Sequence, residues 1–146
     1  MNDEVRDLAA AVRMLIEQMV ATEAPPEVFA GVADDIRDVA ARFEGYPKVP
    51  LYDGFSEAAN ADNPSGPFDN SPFMGAANPL APPVRLWIDD DKRVYGNVVF
   101  GSAYEGPPGC VHGGYIAAVF DELLGLAQIL GGNPGMTGRL TVYYRS

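Results

Sequence analysis

The residues best suited to chemistry lie together in one stretch, Gly106–Glu122, GPPGCVHGGYIAAVFDE. A Gly/Pro loop delivers the chain to His112-Gly113-Gly114 at the start of an apolar helical pattern. Helix N-termini expose unpaired N–H groups and the positive end of the backbone dipole, and glycines let a ligand approach the backbone closely. Such a site can polarise a carbonyl and stabilise the oxyanion that forms when the carbonyl is attacked. Asp121 is a carboxylate on an otherwise apolar helix, and a carboxylate held in apolar surroundings is a candidate general base or nucleophile. Glu122 neighbours it but points about 100° away around the helix. Plainer readings stand beside these. Asp121 also fits a helix-surface carboxylate, and His112 fits a structural hydrogen-bonding group better than a proton carrier. Cys110 and His112, two residues apart, lack the third member of a nucleophilic arrangement.

Helix geometry adds a constraint. Gly114 and Asp121 are seven residues apart, about 10 Å along one helix axis. That is too far for both to act on one carbonyl. Two copies of the helix packed antiparallel would bring Gly113 and Gly114 of one subunit to Asp121 of the other. A dimer with composite sites, which a C2 interface allows, is therefore expected.

The elements that must position these groups can be read from periodicity. Ile116, Val119, Phe120, Leu123, Leu124, Ala127 and Leu130 leave little of the helix at 113–130 polar, the pattern of a buried helix. Gly131-Gly132 ends it. Before it, Val84, Leu86 and Ile88 and then Val94, Val98 and Phe100 alternate around a polar turn at Asp89–Lys92, which predicts a β-hairpin over 84–100. The three aspartates in that turn read as a solvated turn rather than a cation site, since no further ligands arrive at loop spacing. After the helix, residues 137–145 (TGRLTVYYR) alternate as a strand with Leu140, Val142 and Tyr144 on one face.

The first 45 residues have a different texture. Val5, Leu8, Val12, Leu15, Ile16 and Met19 predict an amphipathic helix over 3–21, and Val28, Val32, Ile36, Val39 and Phe43 a second over 26–44. Their stripes are aliphatic, so they read as a packing hairpin or a dimer-stabilising extension. Residues 45–83 hold eight prolines and four glycines and no periodicity. That segment also carries Tyr46, Tyr52, Phe55, Phe68 and Phe73, so part of it is expected to pack over the surface or near a pocket mouth. The expected division is a helical extension over 1–45, a Pro/Gly-rich connection over 46–83 and the chemical domain over 84–146.

Composition bounds the functions open to the chain. The 146 residues, 47% apolar and 21% charged, suit a globular protein with a real core. A net charge of −10 argues against nucleic acid and against an anionic membrane surface. No uninterrupted apolar run is long enough to span a bilayer. A single cysteine excludes an intrachain disulfide, and the acidic N-terminus is unlike a secretory signal. A cytoplasmic location follows as an expectation. No metal cluster is expected.

The hairpin followed by an apolar helix, with the pattern G-P-P-G-x-V-H-G-G-x-x-A-x-x-x-D-E, resembles the hotdog-fold acyl-CoA thioesterases of the phenylacetate-pathway type. The resemblance covers residues 84–146. It implies an α+β hotdog fold, an antiparallel sheet around a buried central helix, here with an N-terminal two-helix extension. It implies hydrolysis of an acyl-CoA thioester to free acid and CoA-SH by a homodimer or dimer of dimers, with coenzyme A entering as part of the substrate and no separate cofactor. By the resemblance Asp121 activates water or attacks the thioester, Gly113 and Gly114 hold the carbonyl oxygen, Thr137 orients the water or Asp121, and His112 shapes the loop. Some relatives carry Asn six residues before the His, where this chain has Gly106. Relatives continue through a proline and three more strands after the segment matching TGRLTVYYR, so a C-terminally truncated, incomplete hotdog domain is expected. A non-catalytic acyl-CoA-binding or dimerisation module, inactivated by truncation, is the alternative, and an acyl-CoA hydratase on the same fold a weaker one.

Overall fold

The computed structural model describes residues 3–48, 66–133 and 135–145. Helix α1 (Asp3–Ala21) opens with Asp3 and Glu4 in its first turn, where acidic side chains complement the helix dipole. Helix α2 (Pro26–Ala41) begins on a proline, at a position whose N–H has no helical partner in any case. Gly45 follows with φ 84°. The apolar stripes are present, but a single chain covers little of them. Ala9 is the buried residue of α1, α2 buries none, and Val28, Val32, Ile36 and Val39 are exposed. On α2 the ion pair formed is Arg37 with Asp34.

Polar ties fasten α1 to the remainder of the chain beside buried Ala9 and half-buried Val12, Leu15 and Ile16. Arg6 Nη2 donates to Asp69 Oδ2 at 2.7 Å, Arg13 to the carbonyls of Asn78 (2.9 Å) and Ala76 (3.2 Å), and Glu17 Oε1 accepts from Ser102 N–H at 3.0 Å. Gly101 packs so close to Glu17 that a Cβ there would run into its carboxylate.

The Pro/Gly-rich segment holds the largest departure from expectation. Residues 49–65, including Tyr52 and Phe55, lie outside the described residues. From the short 3-10 helix Gly66–Asn70 to Pro83, however, the chain folds into a tight knot that supplies much of the core. Phe68, Met74, Ala77, Ala81, Pro82 and Ser71 are all buried. Ser71 Oγ accepts from the backbone N–H of Phe73 (3.1 Å) and Met74 (3.4 Å), Gly75 N–H donates to the Ser71 carbonyl (2.9 Å) and Asn78 Nδ2 to the Asn70 carbonyl (3.0 Å). These bonds satisfy backbone groups that a loop would otherwise leave to water. Gly75 is obligatory here, since a Cβ would collide with the backbone of Asp69 and Ser71.

Strands β1 (Arg85–Ile88) and β2 (Val94–Asn97) form a hairpin shorter than the one expected over 84–100, with Arg85 opposite Asn97 and Ile88 opposite Val94; Val98 and Phe100 lie past the ladder, where β1 has no partner residues for them. Asp89 accepts the Lys92 N–H at its carbonyl and the Arg93 N–H at its side chain, and Lys92 takes φ 62°. The inner face carries Val84, Leu86 and Val94 onto Phe68, Met74 and Leu126. Ile88, expected on that face, is exposed at the hairpin's end. On the outer face Trp87 and Tyr95 stack at 5.5 Å.

Helix α3 (Gly113–Leu130) packs against β2. It is not buried all round: Val119 and Leu126 are enclosed, whereas Phe120 and Leu124 stand more than half exposed. An all-apolar circumference shows that a helix can be buried, not which side a given chain covers. By length and composition α3 is apolar enough to cross a membrane, but Asp121 and Glu122 sit mid-helix, where an Asp costs about 2.5–3.5 kcal/mol in hydrocarbon. Residues 137–145 make no ladder among the described residues. Their alternation suits a strand, but among the described residues no neighbouring strand offers its N–H and C=O groups to them. The segment instead runs back along α3. Among the described residues the architecture is thus α+β, three helices and a two-stranded antiparallel sheet.

Candidate active site

The loop before α3 is built by its glycines and prolines. Cys110 N–H donates to the Pro107 carbonyl at 2.8 Å, with Pro108 and Gly109 at the turn's centre and Gly109 at φ 73°. Proline at the first central position and a left-handed glycine at the second are what a type II turn requires. A bridge between Glu105 and Val111 closes the loop's base. Gly106 lets the two arms meet, since a Cβ there would come within 2.9 Å of His112 Cα. The position that some relatives fill with Asn is therefore closed to a side chain here. Further back, the Tyr104 carbonyl accepts from His112 N–H at 2.9 Å, and the Tyr104 ring meets Tyr115 edge-on at 4.9 Å. Burial, more than the neighbouring tyrosine, raises the Tyr104 phenol above its ordinary pKa.

His112 caps α3. Its Nδ1 accepts from Gly114 N–H at 3.0 Å, and its carbonyl accepts from Tyr115 N–H at 3.0 Å. Nδ1 must be unprotonated to accept, and the bond places His112 at the junction of loop and helix. The bond also separates the two glycines that the sequence treats alike. Gly114 N–H is engaged, while Gly113 N–H has no partner among the described residues.

Two turns along the helix, Asp121 is half-buried, and Thr137 Oγ1 donates to its Oδ1 at 2.7 Å. The sequence placed these residues sixteen apart on different elements; the fold brings them into contact. On the same helix, the side formed by Ile116, Val119, Phe120 and Leu123 walls a cavity of about 200 Å³, completed by Val84, Gly96, Val98 and Phe100. Its lining is apolar. Gly96 keeps it open, because a Cβ there would press on Leu86 and Leu123 at 3.3–3.4 Å. No group of three or more metal-ligating side chains occurs among the described residues.

Some functional neighbours escaped the sequence reading. Tyr144 Oη donates to the Gly113 carbonyl at 2.6 Å. Glu122, set aside because it points away from Asp121, faces the Ser71 knot. Burial raises its pKa, the Ser71 hydroxyl bonded to it opposes that rise, and the charge of Asp121 adds to it. Nothing in local spacing signals either contact.

No family model matches the chain. A solved crystal structure of a thioesterase superfamily protein does: TM-score 0.76 and 32% sequence identity over 97% of this chain and 71% of that one. The chain belongs to the thioesterase superfamily. Its fold is the hotdog type of that superfamily, with the small antiparallel sheet set against helix α3. Since the likeness spans 97% of the chain, the superfamily match takes in α1 and α2 as well as the region carrying the HGG motif.

Proposed function

We propose that this thioesterase superfamily member hydrolyses an acyl-CoA thioester to the free acid and CoA-SH, in the manner of the phenylacetate-pathway type. The observation that carries this reading is the 2.7 Å bond from Thr137 Oγ1 to Asp121 Oδ1. It holds one carboxylate oxygen in a fixed direction and leaves the other for a water molecule. Asp121 then acts as the base that takes a proton from water, or as the nucleophile itself. In the first route the hydroxide adds to the thioester carbon, charge develops on the carbonyl oxygen at Gly113 N–H, and collapse of the adduct expels the CoA thiolate, which takes up the proton. Gly113 N–H is the available donor, with Gly114 serving the cap. The cavity walled by Ile116 and Phe120 suits an apolar acyl group.

The two halves lie too far apart on one helix to meet at one carbonyl, so the reading includes a homodimer, or a dimer of dimers, in which Asp121 of one subunit serves Gly113 of the other. The exposed apolar side chains of α3, Phe120 and Leu124, give such an assembly surface to cover. No cofactor or metal takes part, nucleic acid and membrane are not partners, and the free Cys110 thiol fits action in the reducing cytoplasm.

A thiol-release assay across short, long and aromatic acyl-CoAs tests the reading. Turnover is expected, and Asp121→Ala is expected to lower kcat at least about 100-fold, in the range of a lost general base. Wild-type turnover no greater than that of Asp121→Ala sinks the enzyme reading and leaves a binding module.

A further inference from the structure

The glycines that open the N-terminus of α3 also make it the most permissive backbone of the site, because neither carries a Cβ to limit its dihedrals. A hydrogen-bond donor aimed at a reacting carbonyl works by being fixed beforehand, so a Gly-Gly pair at that position needs outside support. The Gly113–Gly114 peptide unit receives it from both ends. His112 Nδ1 accepts from Gly114 N–H at 3.0 Å, while Tyr144, thirty-one residues on, donates its hydroxyl to the Gly113 carbonyl at 2.6 Å. A carbonyl oxygen has two lone pairs, so it takes Tyr144 in addition to any bond within the helix. The ring is close as well: a Cβ on Gly113 would come within 3.0–3.2 Å of the Tyr144 ring and hydroxyl. The preceding peptide unit is held through the His112 carbonyl, which accepts from Tyr115 N–H at 3.0 Å. Among the described residues, what remains unpaired is Gly113 N–H.

We infer that Tyr144 is a positioning residue: with His112 it clamps the Gly113–Gly114 peptide and so fixes the direction of the Gly113 N–H. The inference rests on the proposed function in taking that N–H as the oxyanion donor. The same segment carries Thr137 to Asp121. Running back along α3, it therefore orients a carboxylate partway along the helix and a backbone donor at its start.

Tyr144→Phe deletes the hydroxyl and keeps the ring. Amide resonances and hydrogen exchange read the clamp whether or not the protein turns over substrate. Tyr144→Phe is expected to shift the Gly113 and Gly114 amide resonances and to speed Gly114 N–H exchange three- to tenfold, with α1 amides unmoved. Unchanged Gly113 and Gly114 amides overturn the clamp. In thiol release, kcat is expected to fall about tenfold at constant KM. Adding His112→Ala should cost less than it does alone, because both residues hold one peptide unit. Strictly additive losses, or a change in KM alone, overturn the positioning role. A wild-type protein without turnover defeats the proposed function instead, and the amide measurements still decide the clamp.

Discussion

At Glu122 the helix turns a carboxylate toward buried Ser71, and burial leaves that group easier to protonate than an ordinary carboxyl. The native state then holds the proton more tightly than the unfolded chain does. Ionised Glu122 therefore weakens the fold as pH rises through its folded-state pKa, and the cost disappears as pH falls below the ordinary carboxyl value of 4.5. Glu122→Gln keeps an acceptor for Ser71 without the charge. Thermal melts should show a higher Tm than wild type at pH 7–8 and a difference that closes toward pH 4; a constant difference at all pH values would assign the effect to packing. Part of the site was legible at this scale. His112, Gly113 and Asp121 announce themselves by type and spacing on one helix. Tyr144 and Ser71 do not, because their importance comes from contacts across 31 and about 50 positions, which no local pattern encodes.

Between elements, the tie from Glu17 to Ser102 carries the most mechanical consequence. Glu17 accepts from the backbone at Ser102 and Ala103, which depresses its pKa. From there the 3-10 turn Ser102–Tyr104 passes to the Tyr104 carbonyl, which accepts from His112 N–H. A depressed carboxyl contributes stability above its unfolded pKa and loses it as pH falls through the folded value. Acid should thus loosen the 101–104 turn in the wild type, read as faster amide exchange at Ser102, while Glu17→Gln shows no such pH step. The hairpin offers a different test. Lys92 sits at φ 62°, a left-handed position that costs a residue with a Cβ about 1–2 kcal/mol. Lys92→Gly relieves it at some entropic cost, and a net gain of about 0.5–1 kcal/mol, or a Tm rise of about 2–3 °C by chemical and thermal denaturation, is expected. Helices and hairpin were legible because their periods are 3.6 and 2. The knot at 66–83 was not, since its order lies in Ser71 and Asn78 side chains bonding the backbone and has no period. Residues 137–145 have a strand's alternation, yet alternation cannot supply the second strand that a ladder needs.

For the whole molecule, charge is the feature with the widest reach. A net −10 repels a substrate that carries phosphates. Raising ionic strength from about 0.01 to 0.15 M shortens the Debye length from about 30 to about 8 Å, so kcat/KM for an acyl-CoA should rise over that range. An uncharged thioester of the same acyl group should show no such rise; an acyl-CoA rate that falls with salt would point to a local basic cradle that outweighs the global field. The hotdog architecture was legible from a single helix and its loop, whereas the exposure of Phe120 and Leu124 was not, because apolarity does not name the surface that covers it. The polar ties of α1 bear also on how the molecule is made. They reach 63, 65 and 85 residues down the chain. At 5–20 residues per second of synthesis, Glu17 waits on the order of ten seconds for Ser102 to be joined. Helix α1 thus emerges from the ribosome well before the residues that hold it, and its apolar stripe is open to chaperones in the meantime.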